Sequence, residues 1–312
     1  KGVLITLAGK FAVLAGYLLA LNMQVSHFEK QVKALEQTAD VSVTPVTPIE
    51  HRELQREGYA IHYFVSGPKS GELVIFLHPA FADHRCFDKQ VDTFSRKYRV
   101  VTVDLLGHGL SRVAQAKDKL DASAEHVAAI LKLEGHTQAH VVGVSMGTLI
   151  AQYFALHHPD QVASLALLGG YDINADNQEV LKAQRQETFK WIFKAVFSMD
   201  AFRLYVASIS VSHPEEQARF YAMARLFTRK SFMVMPGLGK ILEPRPHVRH
   251  TYPLLLLCGD GDLELARRVN QAWHASDPAS RLVLIRAAGH CANMDNAEAF
   301  NEAVMTFIQS RK

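Results

Sequence analysis

The chain has 312 residues and a formal net charge of +3, with 48% hydrophobic and 21% charged residues. These values are typical of a globular protein that can build a large core, so they exclude a disordered, collagen-like or multi-span membrane protein. The small net charge and the lack of a dense Lys/Arg run argue against a nucleic-acid-binding protein.

The first predicted element is an apolar segment, residues 2–23, in which Lys10 is the single charged residue. About 20 apolar residues suffice to cross a bilayer as a helix, although a lysine near the middle is costly there. Three interpretations stay open: a membrane anchor, a secretory signal, and a helix docked on protein. No clear small-residue cleavage site follows, which favours an anchor. Lys1 and Lys10 would then place the rest of the chain outside the cytoplasm, the alternatives being a secreted or a cytoplasmic protein.

The next 25 residues are expected to connect residues 1–23 to the main domain. Residues 24–40 carry apolar side chains at spacings of three and four, which predicts a short amphipathic helix. Residues 41–48, with two prolines among β-branched residues, predict an extended linker. We therefore assign residues 24–48 to a helix and linker.

From about residue 49 short apolar strands alternate with helices, which predicts an α/β fold with a mostly parallel central sheet covered by helices on both faces. We assign this core to residues 49–170 and 252–312. The predicted strands are Tyr59–Val65, Leu73–Leu77, Arg99–Asp104, His140–Val144, Val162–Leu168, Leu254–Cys258 and Leu282–Ile285. The predicted helices of the core are Phe87–Phe94, Ala122–Leu133, Met146–His158 and Ala297–Gln309.

Residues 171–251 interrupt the alternation and predict a helical cap, with helices Gln178–Phe197, Met199–Ser208 and Pro214–Phe227. An insertion at this point would cover the carboxyl end of the sheet, where open α/β sheets bind ligands. The apolar segment 231–239 is interpreted either as a buried connector or as a mobile lid that touches a bilayer. The cap has 12 Lys and Arg against 8 Asp and Glu, a balance that would favour anionic headgroups.

The motif that points to chemistry is Gly143-Val144-Ser145-Met146-Gly147, between a predicted strand and a predicted helix. A bare G-x-S-x-G is common by chance, but the strand–turn–helix context makes it specific for a nucleophile elbow. The turn is so tight that side chains at the glycine positions would collide with the flanking strand and helix. Ser145 then lies at a helix N-terminus, where backbone N–H groups favour a developing anion.

A serine hydroxyl needs a base, and the base needs an orienting acid. His290 follows the predicted strand Leu282–Ile285, so it should lie at the same sheet edge as Ser145. Asp262 follows the predicted strand Leu254–Cys258 and is the favoured acid, while Asp260 in the same turn and Asp172 after another strand stay open as alternatives. His290 would move the proton between Ser145 and the leaving group.

These motifs resemble the α/β-hydrolase superfamily over about residues 55–311, and most of all its serine-nucleophile esterases and lipases with a helical cap. The segment Asp104–Ser111 is similar to the D-x-x-G-x-G-x-S loop of that family, and we interpret it as structural. The segment His78-Pro79-Ala80-Phe81 matches the family's His-Gly position, with proline in place of glycine. The resemblance implies an oxyanion hole made by the backbone N–H groups of Ala80 and Met146.

From the resemblance we expect Ser145, Asp262 and His290 to cleave carboxylic esters through an acyl-serine, on apolar acyl esters such as monoacylglycerols. Phe81 and His78 are expected to line the substrate pocket. The alternatives are cleavage of carbon–carbon bonds, lactones or amides or acyl transfer by the same triad, and a non-enzymatic ligand receptor on the same fold. The expected partners are a small acyl ester and a membrane contacted through residues 2–23 and the cap.

We expect no cofactor. The sequence has no G-x-G-x-x-G after a predicted strand and no paired Cys/His spacing, so neither a nucleotide nor a metal is implied. Cys86, Cys258 and Cys291 are too few and too scattered for a disulfide framework, and we expect buried or half-buried thiols.

Overall fold

The computed structural model describes residues 19–34, 48–113, 115–245 and 250–310. Within these ranges the strands form one eight-stranded sheet in the order β1-β2-β4-β3-β5-β6-β7-β8. The strands are β1 (Glu50–Arg56), β2 (Tyr59–Ser66), β3 (Leu73–Leu77), β4 (Arg99–Val103), β5 (Ala139–Val144), β6 (Val162–Leu168), β7 (Leu254–Gly259) and β8 (Arg281–Ile285). Strands β1 and β2 pair antiparallel, β2 pairs antiparallel with β4, and the remaining pairs are parallel. The predicted mostly parallel sheet is confirmed.

Helices cover both faces of the sheet and fill the segment between β6 and β7. Helix α1 is described over residues 19–34. The others are α2 (Asp88–Phe94), α3 (Ser123–Leu133), α4 (Met146–His157), α5 (Gln178–Phe197), α6 (Met199–Ser210), α7 (Pro214–Ala224), α8 (Gly237–Ile241), α9 (Glu264–Ser276), α10 (Ala292–Asp295) and α11 (Ala297–Gln309). Short 3-10 helices lie at His84–Phe87, Leu120–Ala122, Pro159–Gln161 and Arg229–Met233.

Alternate side chains of the central strands belong to two separate cores. In β3, Val74 and Phe76 join a cluster with α2, α11 and the helices between β6 and β7. Ile75 and Leu77 of the same strand join a second cluster with α3, α4 and α9. Because both faces of the sheet are covered, every residue of β3 to β5 is buried, including the polar Arg99, Thr102 and His140.

Several elements are absent from the sequence prediction, among them the short helices α8 and α10. Strand β1 was not predicted, because its only buried side chain is Leu54 and the rest of this edge strand is polar. Helix α9 was not predicted either, although its Trp273 is buried against the second core. The helices predicted within 171–251 are confirmed as α5, α6 and α7, with ends within three residues of the prediction.

The segment 231–239 is packed against the core of the protein. It spans the end of a 3-10 helix and the start of α8, and its Val234 is wholly buried. The Val234 carbonyl accepts a hydrogen bond from the Leu120 N–H at 3.1 Å. The structure therefore favours the buried connector over the mobile lid.

The predicted N-terminal elements are only partly described. Residues 19–34 are helical, which agrees with the amphipathic helix predicted from residue 24. Residues 1–18 and the predicted linker up to residue 47 lie outside the described part of the chain. Among the helices that the structure does describe, none is both long enough and apolar enough to cross a bilayer.

Candidate active site

Ser145 lies in a sharp turn between β5 and α4, with φ +50° and ψ −113°. A non-glycine residue in this region is strained by about 1–3 kcal/mol, and such strain is typical of functional turns. Two glycines make the turn feasible. A Cβ on Gly143 would lie 2.6 Å from the Gly147 carbonyl oxygen, and a Cβ on Gly147 would collide with the carbonyl of Leu77 at the end of β3. The Ser145 N–H donates to the Leu168 carbonyl at 2.8 Å, which ties the elbow to β6.

The structure brings the three predicted catalytic side chains together, although they are far apart in sequence. The Nε2 atom of His290 lies 2.8 Å from the Ser145 Oγ. The Nδ1 atom of His290 lies 3.0 Å from Asp262 Oδ2 and 3.2 Å from Oδ1. Asp262 and His290 follow β7 and β8, which are parallel to β5 and end at the same edge of the sheet.

Burial and neighbouring groups shift the pKa values of Asp262 and His290. Asp262 has a side chain that is 1% exposed, against 27% for His290. Burial lowers the pKa of His290, but the negative charge and hydrogen bond of Asp262 raise it by more, so the net pKa lies above its usual 6.5. Burial raises the pKa of Asp262, and His290 together with the hydrogen bonds to the carboxylate brings it below its usual 3.8. The aspartate is therefore ionised at neutral pH, and its charge stabilises the protonated form of His290.

Cys258 is a neighbour of the triad that the sequence analysis did not connect with it. Its Sγ lies 3.8 Å from Asp262 Oδ2. Burial, and then the charge of Asp262, raise the pKa of this thiol to about 12, so it stays protonated and can donate a weak hydrogen bond to the carboxylate. The sequence signal that could have connected Cys258 with the triad is its position near the end of a buried strand, four residues before Asp262. All three cysteines are free and buried.

The two alternative acids do not contact His290. Asp260 Oδ1 accepts from the Ala288 N–H at 3.3 Å. Asp172 Oδ1 accepts from the Asn174 N–H at 2.9 Å within its own turn. Both carboxylates thus stabilise backbone turns, and only Asp262 among the three candidates is bonded to the histidine.

The N–H groups implied for the oxyanion hole lie at the ends of adjacent strands, since β3 pairs with β5. Ala80 comes three residues after β3, and Met146 is the first residue of α4. Among the described residues, neither N–H donates to another protein group. Two unpaired N–H groups beside a strained serine are what an oxyanion would use. Pro79 has no N–H, but the Ala80 donor does not depend on it.

His78, which we expected to line the pocket, does not do so. Its side chain has no exposed surface. Its Nδ1 donates to the Pro79 carbonyl at 2.7 Å, and its Nε2 accepts from the Leu105 N–H at 3.0 Å. Burial lowers its pKa, so the ring is neutral. The prediction is wrong because both ring nitrogens are used to join the loop after β3 to the loop after β4.

The loop after β4 is structural, in line with the sequence interpretation. Asp104 accepts hydrogen bonds from the N–H and the ring of His84 and from the Leu110 N–H, each at 2.8 Å. His108 is buried with its Nε2 unpaired among the described residues, and burial lowers its pKa to about 3. A histidine that stays neutral at all ordinary pH values cannot act as an acid–base catalyst there.

Phe81 lies next to the Ala80 N–H and is surrounded by aromatic side chains from the helices between β6 and β7. Its ring meets three of them edge to face at centroid distances of 5.0 Å, and a fourth at 6.4 Å. They are Trp191, Phe202, Phe227 and Phe232. The insertion also bonds to the loop that carries His290, because the Cys291 N–H donates to the Ser210 carbonyl at 2.8 Å. The helices between β6 and β7 thus border the site directly.

Among the described residues, two groups of side chains have the composition of a cation site. They are His51 with Glu53 and His62, and Asp83 with His84 and Asp104, each with ligand atoms within 4.8 Å of one another. Neither group includes a residue bonded to Ser145 or His290. The second group is occupied by its own hydrogen bonds, including the ion pair of Asp83 with Arg85 at 2.7 Å.

A hydroxyl within reach of an imidazole, whose other nitrogen is held by a buried carboxylate, is the arrangement by which serine hydrolases activate a nucleophile. Its location at the carboxyl ends of parallel strands, on a strand–helix elbow, is that of the α/β-hydrolase fold.

Comparisons with known proteins agree with this fold and this site. A family model described as alpha/beta hydrolase fold matches residues 72–197. A pimeloyl-[acyl-carrier protein] methyl ester esterase of Neisseria meningitidis is 26% identical over 265 residues, 78% of this chain and 79% of the relative. A 2-hydroxy-6-oxononadienedioate/2-hydroxy-6-oxononatrienedioate hydrolase of Burkholderia vietnamiensis is 27% identical over 274 residues, 80% of this chain and 91% of the relative. The solved structure of a bacterial membrane phospholipase A covers 97% of this chain and 98% of its own, with a TM-score of 0.67 and 21% identity. The sheet topology and these similarities show an α/β-hydrolase fold, and the site and the relatives support a serine hydrolase.

Proposed function

We propose that this enzyme cleaves carboxylic esters with apolar acyl chains through an acyl-serine intermediate. The observation that carries the proposal is the unbroken series of contacts from Ser145 Oγ through His290 to Asp262, with distances of 2.8 and 3.0 Å. A serine with this support is the nucleophile of acyl transfer, and the two free N–H groups beside it supply the charge stabilisation that acyl transfer needs.

In the first half of the proposed reaction, Ser145 Oγ attacks the ester carbonyl carbon while His290 Nε2 takes the hydroxyl proton. The carbonyl oxygen becomes an oxyanion, which accepts hydrogen bonds from the N–H groups of Ala80 and Met146. Each such donor contributes about 3–4 kcal/mol to the transition state. When the carbon–oxygen bond breaks, His290 returns the proton to the leaving alcohol and Ser145 carries the acyl group.

In the second half, water attacks the acyl-serine and His290 takes its proton as general base. The same oxyanion forms and collapses, Ser145 recovers the proton, and the free acid leaves. Asp262 keeps its charge throughout, holds the Nδ1–H tautomer and stabilises the imidazolium that forms twice in each turnover.

The aromatic cluster around Phe81 supports the preference for apolar acyl chains. An acyl chain bound next to the Ala80 N–H would meet Phe81 and then the side chains that the insertion packs on it. Since Phe202 and Phe227 are wholly buried, we assign the wall to Trp191 and Phe232, which are only partly buried. We propose that residues 171–251 act as the cap that shapes this pocket, on the core of residues 49–170 and 252–312.

Hydrolysis of p-nitrophenyl esters of increasing acyl length tests the proposal. We expect wild-type turnover with an optimum above the acetyl ester, and a fall of several orders of magnitude in Ser145→Ala. Ser208→Ala, an exposed serine on α6, is the matched control and should keep wild-type rates. A fluorophosphonate should label Ser145 once per chain. If acetyl esters turn over far faster than octanoyl esters, the apolar acyl pocket is wrong.

A wild-type protein that cleaves no ester would favour the second candidate, a hydrolase of carbon–carbon bonds, which the Burkholderia relative's name describes. That reaction needs the same triad, so Ser145→Ala would separate it from a non-enzymatic receptor. A protein that is labelled by the fluorophosphonate but cleaves no ester would support the second candidate over the first.

We also propose that the apolar residues 2–23 keep the enzyme at a membrane, with the catalytic domain outside the cytoplasm. The support is the sequence of this segment and its two lysines. Recovery of the full chain in the soluble fraction after detergent-free lysis would contradict this proposal.

A further inference from the structure

Helix α5 carries a row of large apolar side chains that face away from the protein. They recur at spacings of three and four along the helix, and each is between 49% and 77% exposed. These residues, which we call the α5 face, are Phe189, Ile192, Phe193, Val196 and Phe197. Single exposed apolar residues are common on soluble proteins, but a contiguous group of this size marks an interaction surface.

The opposite side of α5 is already fixed to the enzyme. Ala195 is buried in the core, and Trp191 meets the ring of Phe81 at 5.0 Å. The α5 face is therefore not a core surface of a helix that has failed to dock. It is a second apolar side of a helix whose first side already packs on the enzyme. On that first side, Trp191 contacts Phe81, the residue after Ala80.

Basic residues border the α5 face. Lys190 and Lys194 lie along one border of the helix, where the Lys194 ammonium is 4.9 Å from the centre of the Tyr205 ring. Arg229 lies beside the end of the helix, because its Nε donates to the Ala195 carbonyl at 3.2 Å, and Lys230 follows it in the chain. Glu187 is the neighbouring acid, and it is engaged by Lys190 and by the Tyr205 hydroxyl at 2.7 Å. A helix with an apolar face and Lys/Arg at its borders is typical of helices that lie in the interface of a bilayer.

The N-terminal part of the chain adds a second, independent observation. Helix α1 packs on the insertion, with the ring of Phe28 5.8 Å from that of Tyr221 on α7, while Leu19 and Met23 remain exposed. Residues 2–18, which precede it, contain one charged residue. An apolar sequence thus leads into a helix docked on the same insertion that carries the α5 face.

We infer that the α5 face docks in the interfacial region of a bilayer that contains anionic phospholipids. The apolar rings would enter the boundary between headgroups and acyl chains, and the four basic residues would meet the phosphates. A second copy of the chain fits less well, because a symmetric contact would collect two sets of these four cations at one interface. Docking through α5 would place this helix, with Trp191 on its inner side, between the lipid phase and the site.

Site-directed fluorescence tests this inference without using catalysis. All three native cysteines are buried, so a single exposed cysteine can be labelled selectively with an environment-sensitive nitrobenzoxadiazole dye. The full chain carrying Ser145→Ala, which leaves the lipids intact, would receive either Phe193→Cys on the α5 face or Leu133→Cys. Leu133 is the matched control, with 57% exposure on α3 at the other face of the sheet.

With vesicles of phosphatidylglycerol and phosphatidylcholine in a ratio of about 1:3, we expect a blue shift at position 193 and about a twofold or greater loss of iodide quenching. Position 133 should not change. No change at 193, or equal changes at both positions, would overturn the inference. A blue shift at 193 without vesicles that grows with protein concentration would assign the α5 face to a second copy and also overturn it. Because esterase activity is measured separately on soluble esters, failure here leaves the proposed reaction untouched.

Discussion

Asp262→Asn should abolish most of the activity of this enzyme by reversing the direction of one hydrogen bond. In the native site the Leu263 N–H donates to Asp262 Oδ1 at 2.7 Å, and the shorter contact to His290 Nδ1 is made by Oδ2, at 3.0 Å. An asparagine must keep its carbonyl oxygen opposite the Leu263 N–H. Its NH₂ group then occupies the Oδ2 position and donates to Nδ1, so the histidine proton moves to Nε2.

The displaced proton sits on the atom that must accept the proton of Ser145. The Nε2 atom lies 2.8 Å from the Ser145 Oγ, so a proton there leaves the serine without a base. The imidazolium of the transition state also loses its negative partner. Loss of the correct tautomer in a triad lowers kcat by about ten-thousandfold, and we expect a fall of this order, with a smaller change in KM.

Steady-state hydrolysis of p-nitrophenyl butyrate between about pH 5 and about pH 9 provides the measurement. The residual activity of Asp262→Asn should show its acid limb at lower pH, since the carboxylate that raises the His290 pKa is gone. Asp260→Asn and Asp172→Asn are matched controls and should stay within a few-fold of wild type. If Asp262→Asn keeps a tenth or more of the activity while either control loses it, our assignment of the acid is refuted.

The remaining predictions concern pH and packing. In wild type, kcat/KM should rise with pH through an apparent pKa above 6.5, because His290 acts as the neutral base; a limb below 6.5 would mean that its carboxylate partner does not dominate. Gly147→Ala should destabilise the fold by about 1–3 kcal/mol through collision with the carbonyl at the end of β3, whereas Gly239→Ala, with open space around it, should not, as thermal unfolding of both variants would show. The melting temperature should fall as pH drops below 6.5, because His108 and His126 are held neutral by burial with pKa values of about 3 and about 4, while the unfolded chain binds both protons. An unchanged melting temperature from pH 6.5 to pH 4 would contradict that account.

Helix α5 packs on the catalytic site with one side and exposes the α5 face on the other. Trp191 needs α5 to pack on Phe81, while the exposed rings on the other side gain nothing from the folded monomer. A helix so exposed on one side is a cost in solubility unless a partner covers it. That cost supports the inferred membrane contact at α5. Segment 231–239 is less suited to such a contact, because its Val234 is buried.

Local sequence was sufficient for the elements that bury continuous apolar runs and for the elbow. Leu73–Leu77 and Val162–Leu168 have the predicted bounds, since a strand buried on both faces is mostly apolar, and Ser164 is the one polar residue of the two. Ser145 could be identified from sequence because the tight turn around it has room only for glycine at positions 143 and 147, and these lie within two residues of the serine. By contrast, β1 is an edge strand with one buried side chain, and its pairing with β2 is decided by partners rather than by its own pattern.

What only the tertiary structure decided is which of several suitable residues meet. Asp172, Asp260 and Asp262 all follow strands, and the spacing that places Asp262 against His290 depends on how β7 and β8 lie beside each other. His78 has the chemistry of a pocket residue, yet its two nitrogens are consumed by backbone groups from two loops. The composition and motifs of this sequence determine a serine hydrolase fold, because burial and steric limits act locally. The acid, the aromatic wall and the exposed α5 face depend on long-range packing, which no local pattern encodes.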